Sequence, residues 1–248
     1  MPKAPPTFFV PEPLAGASVV LLDEAGRRHA RARRLRAGSR VRLTGTDAVA
    51  ADGVVHRLDR SGCEIRIDAP SGEPADRPRR FSVTLYVPAL RMPRLSWLVE
   101  KATELGADNV TVVESERAQG ERIERAAAER ERLARIAGEA AAQSRQAAVP
   151  EIAGPIEAEA ARETARRFAS AFLLDPFGDP FPQSMAAPAA LWIGPEGGWA
   201  PGEIESAEAL GWRRVRLPGA ILRAETAAIA ALVLALRAID TAADVGGQ

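Results

Sequence analysis

The sequence changes its periodicity near one short segment, and this change limits the possible folds more than any other feature. Before it, runs such as Val41–Gly45, Ala51–Asp59 and Cys63–Asp68 alternate apolar and polar residues, a pattern typical of strands with one buried face. The segment itself, Pro70–Arg80, combines proline, glycine and charged residues without apolar periodicity, as linkers do. We therefore predict two domains, the first of which is a small β-barrel.

After this segment, buried-strand runs alternate with helical runs. The predicted strands are Phe81–Val87, Val110–Ser115, Ser170–Asp175, Ala190–Gly194 and Arg213–Pro218. The predicted helices are one that ends at Gly106, a long one from Glu121 to Gln146, and two later ones at Pro201–Leu210 and Ala224–Asp240. Such alternation predicts a mainly parallel sheet covered by helices on both faces, with any ligand at the carboxyl ends of the strands.

Composition restricts the class of protein. Hydrophobic residues make up 46% of the chain, and no apolar run approaches the roughly 20 residues that cross a bilayer, so we expect a globular protein without a membrane partner. Cys63 is the only cysteine, which excludes an internal disulfide and fits a reducing cytoplasm. His29 and His56 are the only histidines. A metal site would have to recruit carboxylates, so we expect no metal.

The charges are unevenly distributed. The formal net charge is zero, yet the segment from Arg27 to Arg42, which we call the arginine cluster, carries eight arginines and no acid. Like charges at this density repel each other unless an anionic partner is present. Phosphate binding is therefore favoured over the alternative, a solvated face.

A glycine-rich loop follows one of the predicted strands. In the segment LWIGPEGGWAPGE, Leu191–Glu203, a strand leads into Gly194–Gly198 before a helix begins. Glycine lets the backbone approach a flat ligand closely, although the same pattern is typical of a tight strand-to-helix turn. It matches neither the dinucleotide fingerprint nor the phosphate-binding loop of nucleotide hydrolases. Both interpretations remain open at this point.

A second segment, LPGAILRAETA at Leu217–Ala227, leads from the next strand into a helix. Arg223 and Glu225 near the helix start could contact a substrate, or Glu225 and Thr226 could cap the helix. Three tryptophans lie near the two segments, and core packing is favoured for them over stacking on a base. They are Trp192, Trp199 and Trp212.

Taken together, IGPEGGW followed by LPGAILRAETAA closely resembles the ribosomal RNA small-subunit methyltransferase E family. FFVPEPL, KATELGAD and QSRQAAVPEI extend the resemblance over almost the whole chain. The resemblance implies a PUA-like β-barrel at residues 1–72, a linker at 73–80 and an α/β domain of the SPOUT type at 81–248. It also implies a C-terminal trefoil knot, although connections in proteins are in general unknotted.

The same resemblance implies methylation of uridine N3 in 16S ribosomal RNA, with S-adenosylmethionine as cofactor and two subunits paired as a homodimer. The chemistry of the reaction makes Arg223 the first candidate for stabilising the negative charge on uracil. Glu225 or Glu196 would accept the proton, with the alternative that either holds the cofactor or the helix start. The expected cofactor-binding residues are Leu173, Leu174, Ile193, Gly194, Pro195, Glu196, Gly197, Gly198, Leu217, Pro218, Gly219, Leu222 and Thr226. The expected RNA-binding residues are Arg27, Arg28, Arg31, Arg33, Arg34, Arg36 and Arg145.

Three alternatives remain. A knotted methyltransferase acting on a ribose 2′-hydroxyl would share the cofactor loops but not the N-terminal barrel and its order of motifs. A non-catalytic ribosome-binding module would keep the arginine cluster without binding cofactor. A purely structural protein is least favoured, because glycine-rich loops cost chain entropy without an evident packing return.

A homodimer is also favoured by the Ala224–Asp240 helix, which is apolar nearly all round and needs burial on more than one side.

Overall fold

The computed structural model describes residues 5–10, 12–45, 50–60, 62–68, 82–114, 120–144, 146 and 148–246. Contacts divide the chain into two compact units. The first contains Met1–Arg79 and Ala137–Val149, and the second contains Arg80–Ile136 and Pro150–Gln248. The predicted linker at 73–80 lies outside the described residues, so the predicted domain boundaries stay a prediction.

The first unit is built on a five-stranded sheet with one helix. Its elements are β1 (Thr7–Phe9), β2 (Val19–Leu22), α1 (Glu24–Ala32), β3 (Arg40–Thr44), β4 (Ala50–Leu58) and β5 (Cys63–Ile67). The strand order is β1-β3-β4-β5-β2, and all pairs except β1 with β3 are antiparallel. Within the described residues the edge strands β1 and β2 are not paired with each other, so a closed barrel stays a prediction.

Helix α1 was not predicted from the sequence, because its arginines hide a short apolar stripe. The helix begins after Asp23, whose carboxylate accepts a hydrogen bond from the Gly26 amide at 2.7 Å and so satisfies one of the free donors of the first turn. Ala30 is fully buried in a core that includes Val41, Leu43 and Ile65. The front half of the arginine cluster is therefore helical.

The second unit contains the remaining elements, except for the end of α4, which belongs to the first unit. In chain order they are β6 (Val83–Pro88), α2 (Met92–Leu105), β7 (Asn109–Glu114), α3 (Gly120–Ala128), α4 (Arg130–Ser144), β8 (Glu151–Glu157), α5 (Ala158–Glu163), a 3-10 turn (Thr164–Arg167), β9 (Ser170–Pro180), β10 (Ala189–Ile193), α6 (Glu203–Ala209), β11 (Arg213–Arg216) and α7 (Ala224–Gly246). The single long helix predicted from Glu121 to Gln146 is wrong, since a turn at Glu129 separates α3 from α4.

Six strands form the sheet of the second unit, in the order β11-β9-β10-β6-β7-β8. Every neighbouring pair is parallel, as the alternation of strands and helices predicts. Strand β8 was missed because Gly154 and Pro155 in its middle are typical of a loop. It lies at the edge of the sheet, where proline is tolerated.

Strand β9 contains an excursion that shapes the later site. Its pairing with β11 runs through Leu173 opposite Arg214 and then jumps to Asp179 opposite Val215. Residues 174–178 therefore leave the ladder with β11 and return to it. At the point of return the backbones are so close that a Cβ on Gly178 would lie 2.6 Å from the Val215 nitrogen.

Aromatic side chains fill the core beneath the carboxyl ends of the strands. The Trp192 ring lies 5.2 Å from the ring of Trp199 and 5.2 Å from that of Trp212, measured between centroids. Tyr86 contacts Trp212 edge-on at 5.7 Å. Trp192 and Trp212 are buried, as core packing predicts, whereas Trp199 is only partly buried against them. Among the described helices, none has the length and apolar character that crossing a membrane requires.

Candidate active site

Three loops meet at the carboxyl ends of the adjacent strands β10, β9 and β11 and enclose a cleft of about 1040 Å³. A volume of this size accommodates a small-molecule ligand. Most of the expected cofactor residues line it, namely Leu174, Ile193, Gly194, Pro195, Glu196, Gly197, Gly198, Leu217, Pro218, Gly219 and Leu222. Leu173 is instead fully buried below the cleft, and Thr226 is exposed on α7 outside its lining.

The glycine-rich loop, Gly194–Gly198, is held by an aromatic side chain. A Cβ on Gly194 would lie 2.8 Å from the Trp199 ring, so only glycine fits there without a shift of that ring. The Trp199 indole donates a hydrogen bond to the Leu174 carbonyl at 3.0 Å. The loops after β9 and β10 are thereby joined to each other. Sequence reasoning predicted the loop but not this connection.

The excursion of β9 is held by Asp175. One of its carboxylate oxygens accepts hydrogen bonds from the Phe177 amide and from the Arg214 guanidinium, both at 2.7 Å. An aspartate that bonds the amide two residues later forms a compact local turn. Phe177 is 84% exposed on the rim of the cleft. Arg214 and Phe177 were not predicted as site residues, although Asp-Pro-Phe-Gly is a recognisable turn signal.

Glu196 lies in the lining of the cleft between two arginines. One of its carboxylate oxygens accepts a hydrogen bond from Arg94 of α2, and the other accepts one from Arg122 of α3 at 3.3 Å. Partial burial alone would raise the pKa of Glu196, but the hydrogen bonds and charges of Arg122 and Arg94 outweigh it and lower that pKa. Glu196 is therefore ionised at neutral pH.

The two residues expected to be catalytic face different surroundings. Arg223 is exposed and lines the cleft. Glu225 is only 8% exposed and does not line it. One Glu225 oxygen lies 3.5 Å from Nε of Arg94, and the other is buried without a hydrogen-bond partner in the described part of the chain. The structure thus brings Glu196 and Arg223 to the cleft and places Glu225 behind it.

Seven of the eight arginines of the arginine cluster fall into two groups. Arg27 and Arg31 donate to the carbonyls of Arg60 and Asp59 at 3.1 and 2.5 Å, and Arg40 pairs with Asp68 at 3.0 Å. These contacts stabilise the first unit itself. The second group is exposed and forms no ion pair among the described residues. It comprises Arg28, Arg33, Arg34 and Arg36. The predicted RNA-binding residue Arg145 lies outside the described residues.

Both histidines belong to the first unit. The His29 ring packs edge-on against Phe8, with 5.3 Å between centroids. His56 lies 3.1 Å from an Arg66 nitrogen and 4.0 Å from a Glu64 oxygen. In the described ranges, no group of three or more histidine, cysteine or acidic side chains is arranged to hold a metal ion.

Comparison with known proteins places this site in a family. Residues 77–236 match the RNA methyltransferase domain model. Over 232 residues the chain is 30% identical to the ribosomal RNA small subunit methyltransferase E of Mycobacterium bovis. This alignment covers 89% of the present chain and 86% of the Mycobacterium bovis protein. The chain belongs to the ribosomal RNA small subunit methyltransferase E family. The same degree of similarity is found to the Mycobacterium tuberculosis protein of that name.

Solved structures of similar proteins extend over both units of this methyltransferase E family member. A ribosomal RNA small subunit methyltransferase E from Neisseria gonorrhoeae, bound to S-adenosyl methionine, has a TM-score of 0.79 and 25% identity, covering 93% of this chain and 96% of that one. A probable rRNA-methyltransferase from Porphyromonas gingivalis has a TM-score of 0.78 and 30% identity, covering 92% and 95%. The α/β fold of the second unit and the mixed sheet of the first are thus shared with these proteins.

Proposed function

We propose that this family member transfers the methyl group of S-adenosylmethionine to N3 of a uridine in 16S ribosomal RNA. The observation that carries the proposal is the single cleft formed by three strand-end loops, with the glycine-rich loop and Arg223 in its lining. Glycine exposes backbone amides and carbonyls to a flat ligand, and Leu174, Ile193 and Leu222 add apolar surface. The presence of S-adenosyl methionine in the related Neisseria gonorrhoeae structure supports the cofactor.

Arg223 is the residue we propose for stabilising the reacting base. S-adenosylmethionine supplies an electrophilic methyl group, and uracil N3 accepts it only after losing its proton. A permanent cation in the cleft lowers the free energy of the resulting anion by interacting with the adjacent carbonyl oxygens. Methyl transfer also depends on alignment of the two reactants, so much of the rate enhancement comes from positioning.

The proton acceptor we propose is water. Glu225 does not line the cleft, and Glu196 is held as an ion by Arg122 and Arg94, which lower its pKa. A low pKa makes a carboxylate a weak general base. We therefore assign Glu196 to holding the loop and Arg223 to making loss of the N3 proton to water easier.

For RNA binding we propose the exposed group of the arginine cluster, Arg28, Arg33, Arg34 and Arg36. Guanidinium groups that have no acid beside them are free to neutralise phosphates, and this contact is independent of base sequence. We further propose that the first unit is a PUA-like domain that positions the RNA, with residues 1–72 as its extent.

A trefoil knot in the second unit is also proposed. Helix α7 packs against α2, β6 and β10, whereas the preceding strand β11 lies on the far side of β9. Residues 217–223 must therefore cross the carboxyl end of β9 beside its excursion. This crossing supports a threaded connection, as does the resemblance of the sequence to the methyltransferase E family.

A homodimer is the assembly we propose. Trp97 on α2 and Val233 on α7 are 42% and 46% exposed, and these two helices pack against each other. Large apolar side chains that are exposed on neighbouring elements are typical of interaction surfaces. Sedimentation of the full chain at micromolar concentration tests this, and a fully active, stable monomer would contradict it.

The activity itself is tested in two steps. Isothermal titration with S-adenosylmethionine is expected to give one cofactor site per chain, and the absence of binding would leave the ribosome-binding module. Methylation of small subunits and of naked 16S RNA, followed by mass spectrometry of the nucleosides, is expected to yield 3-methyluridine. A 2′-O-methylated nucleoside would instead support the ribose methyltransferase. The comparison of the two substrates identifies which form of the RNA is modified.

A further inference from the structure

One arginine below the cleft connects two of its walls. Arg94 of α2 is hydrogen-bonded to Glu196 in the glycine-rich loop and ion-paired with Glu225 in the first turn of α7. We propose that Arg94 is a positioning residue, which aligns Arg223 with the cofactor loop by holding both walls at once. This inference rests on the proposed function, because it concerns the same cleft.

The geometry of the contact favours arginine specifically. Nη1 of Arg94 donates to Glu196, while Nε lies 3.5 Å from the Glu225 oxygen. Because the guanidinium is planar and rigid, these nitrogens keep a constant separation, and the two carboxylates are kept at a constant spacing with them. A lysine ammonium carries its charge at one atom on a flexible stem. It can neutralise one carboxylate but cannot reproduce this spacing.

The two carboxylates depend on Arg94 to different degrees. Glu196 has a second partner in Arg122 at 3.3 Å. Within the described residues, Arg94 is the only charged partner of the Glu225 side chain, whose other oxygen is buried and unbonded. Loss of Arg94 therefore leaves the loop partly held but frees the start of α7. Since Arg223 lies two residues before Glu225, the rate of methyl transfer should fall more than the affinity for the cofactor.

This asymmetry gives a measurable contrast between two arginines. Arg94→Gln is expected to lower kcat by about 10²-fold, as small misplacements of reacting groups do. KM for S-adenosylmethionine should rise by less than about tenfold, since much of the binding free energy comes from groups that remain. Arg122 contacts only Glu196 among these carboxylates, so Arg122→Gln should raise that KM and leave kcat near wild type. Arg94→Lys should recover part of the lost kcat.

Arg91→Gln is the matched control. Arg91 is exposed, immediately precedes α2, and its side chain has no hydrogen bond or ion pair among the described residues. The substitution Arg91→Gln removes one positive charge at the start of the same helix and is expected to leave kcat, KM and thermal stability unchanged. A loss of activity equal to that of Arg94→Gln would mean that the charge of α2, not the bridge, is responsible.

A double-mutant cycle tests whether Arg94 acts through Arg223. In an Arg223→Ala background, Arg94→Gln is expected to lower kcat by less than about threefold, because residues that act as one unit are not additive. Full additivity of the two losses would overturn the proposal. A wild-type enzyme that neither binds S-adenosylmethionine nor methylates RNA would overturn the proposed function and this inference together.

One complication is that Arg94→Gln leaves the Glu225 carboxylate buried without a cation, which is strongly destabilising. The double variant Arg94→Gln with Glu225→Gln removes both charges and is expected to unfold near the wild-type temperature. Its kcat should nevertheless remain low, because the bridge between the walls is absent. A folded double variant with wild-type kcat would overturn the positioning role.

Discussion

Cations are used in two different ways in the cleft and in the arginine cluster. Around the cleft, Arg94 and Arg122 pair with Glu196, and Arg214 pairs with Asp175 at 2.7 Å. In the exposed group of the cluster, by contrast, no arginine has an acidic partner among the described residues. A paired cation fixes the position of a loop, and an unpaired one remains available to an external anion.

The same division recurs within the cluster. Arg27 and Arg31 donate to backbone carbonyls and Arg40 pairs with Asp68, so these three stabilise the first unit. Sequence density alone does not distinguish them from their neighbours. The comparison therefore concerns partners rather than numbers of charges.

Three arginines line the cleft, and Arg223 is the one whose side chain has neither a hydrogen bond nor an ion pair in the described chain, since Arg214 pairs with Asp175 and Arg216 donates to the Gly178 carbonyl. Arg223→Ala is expected to lower the rate of methylation by about 10² to 10³, which is the usual cost of losing one contact to a developing negative charge. Cofactor affinity, measured by calorimetry, should stay within about tenfold of wild type, since the loops remain in place. If binding collapses while turnover per bound cofactor is normal, Arg223 holds the cofactor rather than the base.

The exposed group of the cluster is tested by salt dependence. Replacing Arg28, Arg33 and Arg34 with glutamine should weaken RNA binding and reduce the slope of log affinity against log salt by about 2.1 to 2.7, at 0.7 to 0.9 per phosphate contact. Cofactor binding should not change, because the residues of the cleft all belong to the second unit.

The matched control for this triple variant replaces Arg27, Arg31 and Arg40, which have partners inside the first unit. This control removes the same number of charges from the same cluster. Compared with the triple variant of the exposed group, it is expected to have a lower thermal stability and a smaller reduction in the slope of log affinity against log salt. Equal slopes for the two triple variants would mean that internal contacts do not decide which arginines reach RNA. An unchanged slope in both would place the RNA elsewhere.

The fold was largely predictable because apolar runs and glycine stops mark the strands and helices of a parallel sheet. Strand β8 and helix α1 were not predicted, for opposite reasons. Gly154 and Pro155 are typical of a loop, yet an edge strand tolerates them. In α1, repeated arginines hide the alanine that packs into the core. Local composition was misleading in both cases because tertiary packing determined the outcome.

The site was predictable in part for the same physical reason. Loops that follow parallel strands meet at one edge of the sheet, so the two glycine-bearing segments were expected to come together. The arginines that hold them were not expected. Arg94 and Glu196 are 102 positions apart, and Arg122 and Glu196 are 74 apart. No local pattern connects such pairs, and only the folded chain brings them into contact.

The substitution Gly194→Ala tests how far close packing holds the glycine-rich loop, because it changes no charge. In Gly194→Ala the new Cβ would lie 2.8 Å from the Trp199 ring, which must move and lose its hydrogen bond to the Leu174 carbonyl. Overpacking of this kind costs about 1 to 3 kcal/mol, and calorimetry should show a lower Tm. Gly62→Ala is the control, because the nearest atom to its Cβ would be an Arg57 nitrogen at 3.9 Å.

The smallest expected effect concerns the pH dependence of cofactor binding. Because Arg122 and Arg94 lower the pKa of Glu196 despite its partial burial, the paired form is present at neutral pH and is lost as the pH falls through that lowered pKa. Arg122→Gln removes one hydrogen bond and one charge, so the pKa of Glu196 should rise towards its ordinary value. The acid limb of S-adenosylmethionine affinity should then begin at a higher pH than in wild type. Calorimetric titrations between about pH 3 and 7 reach below the ordinary pKa of glutamate, and superimposable acid limbs would show that the ionisation of Glu196 does not hold the loop.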